Sequence, residues 1–333
     1  MEFSLTDLSG STSSQASETP VKVLIIGSGP AGLAAALYAA RADLAPVVLT
    51  GMELGGQVSL THIVENYPGF PDGVGGAELI ELFQKQAQRF GAKLELDTAT
   101  EVDLSSRPFR VTTYNTTYLA DTLIITTGAT PRHLEVPGEI ELTGRGVSYC
   151  ATCDGWFFKD KDVIVVGGGD SALEEGLFLT RFANSVTIVH RRDELRAGPV
   201  LSNRAKSNDK VKFFWNSVVT DIVGDEAVNA VRLKDVVTAE EREHPTDGVF
   251  IFIGHIPNTD LFKGQLDIDD QGYLITDKYH RTKVEGVWAA GEIADPVFRQ
   301  AITSAGMGAA AGIAAERWLS EHEEEVAAEM ITA

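Results

Sequence analysis

Two stretches of the chain repeat one arrangement of apolar and polar positions. Each is a short run of consecutive apolar residues, a glycine-rich turn, an Ala- and Leu-rich segment and a second apolar run. The first begins with Val21, Val23, Leu24, Ile25 and Ile26, broken only by Lys22. A run of that length, rich in branched residues and closed by glycine, predicts a strand buried on both faces. Residues 33–42 contain leucine and alanine with no Gly or Pro, which predicts a helix. Pro46, Val47, Val48, Leu49 and Thr50 then supply a second strand. The second copy predicts a strand at 162–166, a helix over 173–182 and a strand at 186–189. Two further strand-like runs, at 123–128 and 250–254, end in glycine.

The turns inside the two copies give the pattern its chemical meaning. In Gly27-Ser28-Gly29-Pro30-Ala31-Gly32, the first glycine permits a tight turn and Gly29 lets a pyrophosphate approach the backbone. Gly32 lets helix and strand pack closely, and the phosphates would rest on the free N–H groups of the helix N-terminus. Gly167, Gly169, Asp170, Ser171 and Ala172 occupy the corresponding places in the second copy. The expected fold class is therefore α/β, with two Rossmann-like dinucleotide-binding domains.

The residues just beyond each second strand select the nucleotide. His190, Arg191 and Arg192 close the strand of the second copy, with Arg196 a helical turn further on. An acid there would suit a ribose 2′-hydroxyl, whereas arginines suit a 2′-phosphate, so the second copy predicts NADPH. The plainer alternative is a solvated run of charge. In the first copy the strand ends at Thr50, Gly51, Met52 and Glu53, which makes Glu53 a candidate for an adenosine ribose. Gly55, Gly56 and Gln57 form another loop where backbone can approach a cofactor.

Length and charge narrow the class. A chain of 333 residues suggests two domains. Its 48 acidic and 28 basic side chains give a net charge of -20, which argues against nucleic-acid or anionic-membrane partners. Residues 1–20 are rich in Ser and Thr, without a basic start or an apolar core, and read as a disordered tail and not a signal peptide. With no apolar run near the ~20 residues needed to span a bilayer, a cytoplasmic protein is expected.

Against that background the only two cysteines, Cys150 and Cys153, stand out. Their spacing can close a short disulfide and lower a thiolate pKa, which points to dithiol-disulfide exchange with the adjacent Asp154 supplying or accepting a proton. Two unpaired thiols remain an alternative. A zinc site is another, although zinc usually takes four ligands and no second cysteine pair exists, so no metal is expected. A nicotinamide reducing a disulfide calls for a relay, and flavin is the natural one. The first copy is then expected to bind FAD.

Together these motifs resemble the low-molecular-weight, bacterial-type thioredoxin reductases. The resemblance is carried by the first glycine turn, residues 51–57, 65–69 and 150–155, His190 to Arg196, and residues 299–303, across about 21 to 319. It implies a discontinuous layout: the tail at 1–20, an FAD-binding domain at 21–131 and 259–333, and between them an NADPH-binding domain at 132–258 that carries the cysteines. Asn66, Thr127, Gly128, Gly291, Glu292, Arg299, Gln300 and Ala301 would join Gly27, Gly29, Pro30, Ala31, Gly32, Thr50, Gly51, Glu53, Gly55, Gly56 and Gln57 at FAD. The strand-like residues 287–292 end in Glu292, where the family usually has Asp. By resemblance Cys153 takes electrons from the flavin and Cys150 exchanges with thioredoxin, with hinges near 128–130 and 254–257. Arg145, Trp156 and Phe157 would dock thioredoxin, although aromatics can equally be core. A homodimer is also implied.

Other members of this scaffold fit less well. A ferredoxin- or flavodoxin-NADP reductase has no use for the cysteines, and a dithiol oxidase lacks the arginines. A non-catalytic redox sensor that binds both nucleotides is the reading from another class, and turnover distinguishes it.

Overall fold

A computed structural model describes residues 18–322 except Glu53 and His62. Contacts divide the chain into two compact units. One gathers the chain up to Gly56, Leu82–Gly128 and the chain from Thr259; the other gathers Gln57–Glu81 and Ala129–Asn258. In chain order the elements begin with β1 (Glu18–Ile26), α1 (Pro30–Arg41), β2 (Val47–Leu49), α2 (Gly56–Ser59) and α3 (Gly76–Arg89). They continue with β3 (Lys93–Glu95), β4 (Ala99–Asp103), β5 (Phe109–Thr113), β6 (Thr117–Ile125), β7 (Ala129–Pro131) and β8 (Val147–Ser148). Next come α4 (Ala151–Asp154), β9 (Asp162–Val166), α5 (Asp170–Leu179), β10 (Ser185–Val189), α6 (Pro199–Lys206) and β11 (Val211–Phe214). The series closes with β12 (Ser217–Gly224), β13 (Val228–Asp235), β14 (Glu241–Pro245), β15 (Gly248–Ile251), β16 (His255–Pro257), β17 (Val287–Ala289) and α7 (Ala301–Glu321).

In the first unit a sheet runs in the order β3-β2-β1-β6-β5-β4. The strands β3, β2, β1 and β6 are parallel, as a strand-helix-strand repeat requires. The far edge of β6 is shared: β5 pairs antiparallel with Thr117 to Ala120, and β17 pairs parallel with Leu123 to Ile125. That second pairing seats the returning C-terminal segment beside the glycine turn. β1 starts at Glu18, inside the expected tail, because it pairs with β6 from Thr117 onward; residues 1–17 lie outside the described chain.

Alternation along β1 assigns the two faces. Val23 and Ile25 pack with Ala35, Ala36, Ala39 and Ala40 of α1 and with Ala311, Ala315 and Trp318 of α7. Leu24 and Ile26 face a second cluster that includes Phe109, Phe262 and Ile293. Small residues let α1 and α7 approach closely: a Cβ on Gly308 would stand 1.9 Å from the Ala31 carbonyl oxygen.

The second unit repeats the plan with a sheet ordered β11-β10-β9-β15-β8, all parallel. Val163 and Val165 face Ala172, Leu173 and Leu179 of α5. Ile164 and Val166 face the other way, onto Val219, Ile222, Val231 and Leu233 of an antiparallel meander formed by β12, β13 and β14. Among the described residues no helix is long and apolar enough to cross a membrane.

Candidate active site

The first glycine turn is built as its spacing requires. Gly27 follows β1 at φ 113°, and its N–H donates to Leu49 O at 2.9 Å. A Cβ there would meet Thr126 O at 2.3 Å, and one on Gly32 would meet Gly27 O at 1.9 Å. Both positions are closed to any side chain. Gly29 differs: a Cβ on it would have only Gly55 O, 3.9 Å away, within 4 Å. It caps α1 with no side-chain hydrogen bond, and Pro30 opens the helix, so Gly29 stands at the helix N-terminus, where the first backbone N–H groups have no partner within the helix.

Ser28, to which the glycine spacing assigns no role, ties this turn to the next loop. Its Oγ donates to Thr50 O at 3.1 Å and accepts from Gly55 N at 3.0 Å. Gly51, Gly55 and Gly56 all take positive φ, and nothing within 4 Å would meet a Cβ on Gly51. Thr126 Oγ1 donates to Ile26 O and Gly27 O, leaving Thr127 and Gly128 just beyond the strand end. Gln57 and Asn66 are exposed and group with the second unit. Glu53 lies outside the described residues.

The C-terminal return brings a second set to the same turn. Ala290 N donates to Ile125 O, and Gly291 follows at φ 81°, where a Cβ would stand 2.8 Å from Ala31 Cβ. Glu292 is half-buried. Burial holds its carboxyl up at about 7, Arg299 pulling it down and Asp295 pushing it up. Asp295 accepts from the backbone N–H groups of Val297, Phe298 and Arg299 and so shapes the loop that leads through Arg299 and Gln300 into α7 at Ala301.

The second glycine turn lies wholly within the second unit. Gly167 has φ 146°, and a Cβ on Gly168 would meet His190 Nδ1 at 2.4 Å, so the imidazole lies against the turn. His190 is buried, and burial together with Arg192, Arg196 and Arg191 pushes its pKa down, leaving it neutral at pH 7. Arg196 N donates to Gly168 O at 2.8 Å, and its Nη2 stands 3.6 Å from where a Cβ on Gly169 would be. Asp170 Oδ1 accepts from Gly198 N at 2.8 Å, fixing the loop that carries Arg196. Ala172 is buried under the turn, whereas Asp170, Ser171, Arg191, Arg192 and Arg196 are exposed.

Cys150 and Cys153 are joined as a disulfide, with Cα atoms 5.3 Å apart, so neither free thiols nor zinc ligands describe them. Cys150 caps α4, its Sγ accepting from Cys153 N at 3.1 Å. Burial raises the pKa of Asp154, and a hydrogen bond from Ser148 lowers it. Tyr149 donates to Glu139 at 2.8 Å, and Glu139 in turn accepts from Leu134 N and Glu135 N, bracing the approach to Cys150. Trp156 and Phe157, directly beyond the pair, are 56% and 39% exposed; they are surface and not core. Arg145 is exposed as well. Ser148, Tyr149 and Glu139 carried no sequence signal, because only the parallel pairing of β8 with β15 brings this segment to its place.

The sequence profile of the pyridine nucleotide-disulphide oxidoreductases matches residues 21–308. A thioredoxin reductase of Mycolicibacterium smegmatis is 51% identical over 308 residues, which span 92% of this chain and 99% of that protein. The chain belongs to the thioredoxin reductases of the pyridine nucleotide-disulphide oxidoreductase family. A second relative in the family, the bifunctional thioredoxin reductase/thioredoxin of Mycobacterium leprae, is 50% identical over 314 residues, 93% of this chain and 68% of that protein. The solved thioredoxin reductase of Streptococcus pyogenes superposes with a TM-score of 0.87 at 43% identity, covering 92% of this chain and all of that one.

Proposed function

We propose that the chain takes electrons from NADPH through FAD to the Cys150–Cys153 disulfide, and passes them from the resulting dithiol to thioredoxin. The observation that carries this reading is the cystine itself: the chain's only two cysteines are bonded to each other, with a half-buried carboxyl immediately after them. The name of the M. leprae relative, which pairs a reductase with a thioredoxin, favours the same substrate.

Both nucleotides find residues suited to them. At the first turn, closed positions at Gly27 and Gly32 flank an open Gly29, where a pyrophosphate would approach the backbone. Gly291 and Glu292 stand beside it, near the start of α7, where Arg299, Gln300 and Ala301 would add contacts. Bound FAD supplies the conversion of a hydride into a pair of electrons that a disulfide can accept. In the second unit Gly167 and Gly169 would admit the NADPH pyrophosphate at the N-terminus of α5, and Arg191, Arg192 and Arg196 would hold the 2′-phosphate.

The chain's own chemistry then falls to three residues. In the dithiol state the Cys150 thiolate attacks the thioredoxin disulfide, forming a mixed disulfide and expelling one thioredoxin thiolate. Cys153 attacks Cys150 Sγ, which restores the internal disulfide and releases reduced thioredoxin. Asp154 gives and takes the proton that each thiol loses or gains. Exposed Trp156 and Phe157, with Arg145, would form the docking surface.

The test is an NADPH-coupled thioredoxin assay on the unaltered chain and on Cys150→Ser and Cys153→Ser. Both variants should lose disulfide reduction while NADPH still bleaches the flavin. Retained turnover in either variant would overturn the dithiol route, and a single equivalent of thioredoxin reduced per flavin would overturn the catalytic reading and leave a sensor in its place. A homodimer in solution is part of the proposal, and sedimentation of the flavin-bound protein checks it.

A further inference from the structure

Ser148 is a buried hydroxyl, 4% exposed, on the two-residue strand β8, where Ser148 pairs with Phe250 of the central sheet. Its Oγ lies 2.5 Å from Asp154 Oδ2, 3.1 Å from Cys150 N and 3.2 Å from Cys150 O. Asp154 N donates to Cys150 O at 3.1 Å, so the ring of contacts closes around the whole Cys150-to-Asp154 turn.

We propose that Ser148 is a positioning residue for the disulfide chemistry, holding the Asp154 carboxyl in place in both of its protonation states while bracing the Cys150 backbone. The inference rests on the reading of Asp154 as the proton donor and acceptor of the sulfur pair. A serine hydroxyl has one hydrogen and two acceptor lone pairs. One lone pair is taken by Cys150 N. When Asp154 is ionised, the hydroxyl hydrogen points at Oδ2, because a charged acceptor at the shorter distance wins over Cys150 O. When Asp154 is protonated, its own O–H donates to the free lone pair of Oγ, and the serine hydrogen turns to Cys150 O. The carboxyl therefore keeps its partner, and its place, in both states.

That property matters because the carboxyl must change state in every cycle. Reduction of the disulfide breaks the S–S bond and forms two S–H groups. NADPH delivers two electrons and one proton as hydride, and solvent supplies the second proton. One proton passes through Asp154. A carboxyl held in only one state would have to be repositioned at each passage. Burial disfavours the carboxylate, and the hydroxyl offsets that by favouring it.

The test uses the flavin-bound enzyme with thioredoxin and NADPH, comparing Ser148→Ala, Ser148→Thr, Asp154→Asn and the Ser148→Ala/Asp154→Asn double variant. Loss of the hydroxyl should lower thioredoxin turnover about tenfold. It should also move the Asp154-controlled limb of the pH profile toward higher pH, since the ionised form has lost a donor. Ser148→Thr should restore both, and Ser148→Ala should add nothing in the Asp154→Asn background. Flavin content and melting temperature report on folding; should Ser148→Ala not fold, Ser148→Thr against Ser148→Val makes the same comparison with side chains of one shape. Parental rate and pH profile without the hydroxyl, or losses that add fully to Asp154→Asn, overturn the positioning role alone. An unaltered enzyme that cannot reduce thioredoxin from NADPH overturns the functional reading as well.

Discussion

Replacing Arg191 and Arg196 together with alanine should cut the preference for NADPH over NADH about 100-fold, leaving only the share of Arg192. Arg196 is held at the turn by its own backbone, N–H to Gly168 O at 2.8 Å, with its guanidinium over Gly169. Arg191 directly follows His190, whose ring packs against Gly168. Both arginines reach solvent, so the lower end of the range for a charge-assisted hydrogen bond applies, about 1.5 kcal/mol each. Two such bonds to the 2′-phosphate amount to ~3 kcal/mol, or about a 100-fold preference. The assay is kcat/KM for each nucleotide at fixed ionic strength, with thioredoxin saturating. The NADPH value should fall about 100-fold and the NADH value should stay within about twofold, because NADH has no group at that position. Added salt should weaken NADPH binding to the parent more than to the variant. An unchanged NADPH to NADH ratio would place the 2′-phosphate elsewhere and remove the physical basis of the nucleotide assignment.

Three further outcomes are expected from the site and its support. Burial raises the Glu292 carboxyl from an ordinary 4.5 to about 7, so the folded cofactor-free chain holds a proton that the unfolded chain releases. That contribution to stability is complete below pH 4.5 and is lost as pH rises through about 7. Urea denaturation of Glu292→Gln should accordingly lose less stability across that window than the parent, by up to about 3 kcal/mol, and parallel curves would contradict it. In α7, Gly308→Ala drives a Cβ to 1.9 Å from the Ala31 carbonyl and should cost more than the ~1–3 kcal/mol of ordinary overpacking, measured as a fall in melting temperature. Gly306→Ala, with nothing within 4 Å, should be neutral or stabilising; equal losses at the two positions would deny the close approach of α1 and α7. Trp156→Ala should raise KM for thioredoxin about tenfold while sparing small artificial disulfides, and equal losses on both would point to damage within the fold.

How much of this was legible in the sequence depended on whether the cause was local. The strand at 162–166 has the bounds its apolar run predicts, because Gly167 ends the run by the same backbone property that makes the turn. Both predicted helices begin three residues too late. Gly32 and Ala172 read as part of the loops, yet Pro30 at the first helical position, and Asp170 after the Gly169 cap, already start α1 and α5. The β12–β14 meander carries no long apolar run: β12 and β13 mix buried with partly buried or exposed positions, and β14 has no buried position at all. Gly291 against Ala31, and Ser148 against Asp154, depend on strand pairings formed late in the chain, which no local pattern encodes. The disulfide was open to three interpretations until its sulfurs proved to be joined.

The central claim is that electrons reach thioredoxin through the sulfur pair lying beyond the flavin, and anaerobic dithionite titration of the flavin-bound protein tests it most directly. The unaltered chain should take up twice as many reducing equivalents per flavin as Cys150→Ser, because flavin and disulfide each accept one electron pair. Equal uptake by the two proteins would mean that the cystine is not in electronic contact with the cofactor, and the proposed route would be wrong.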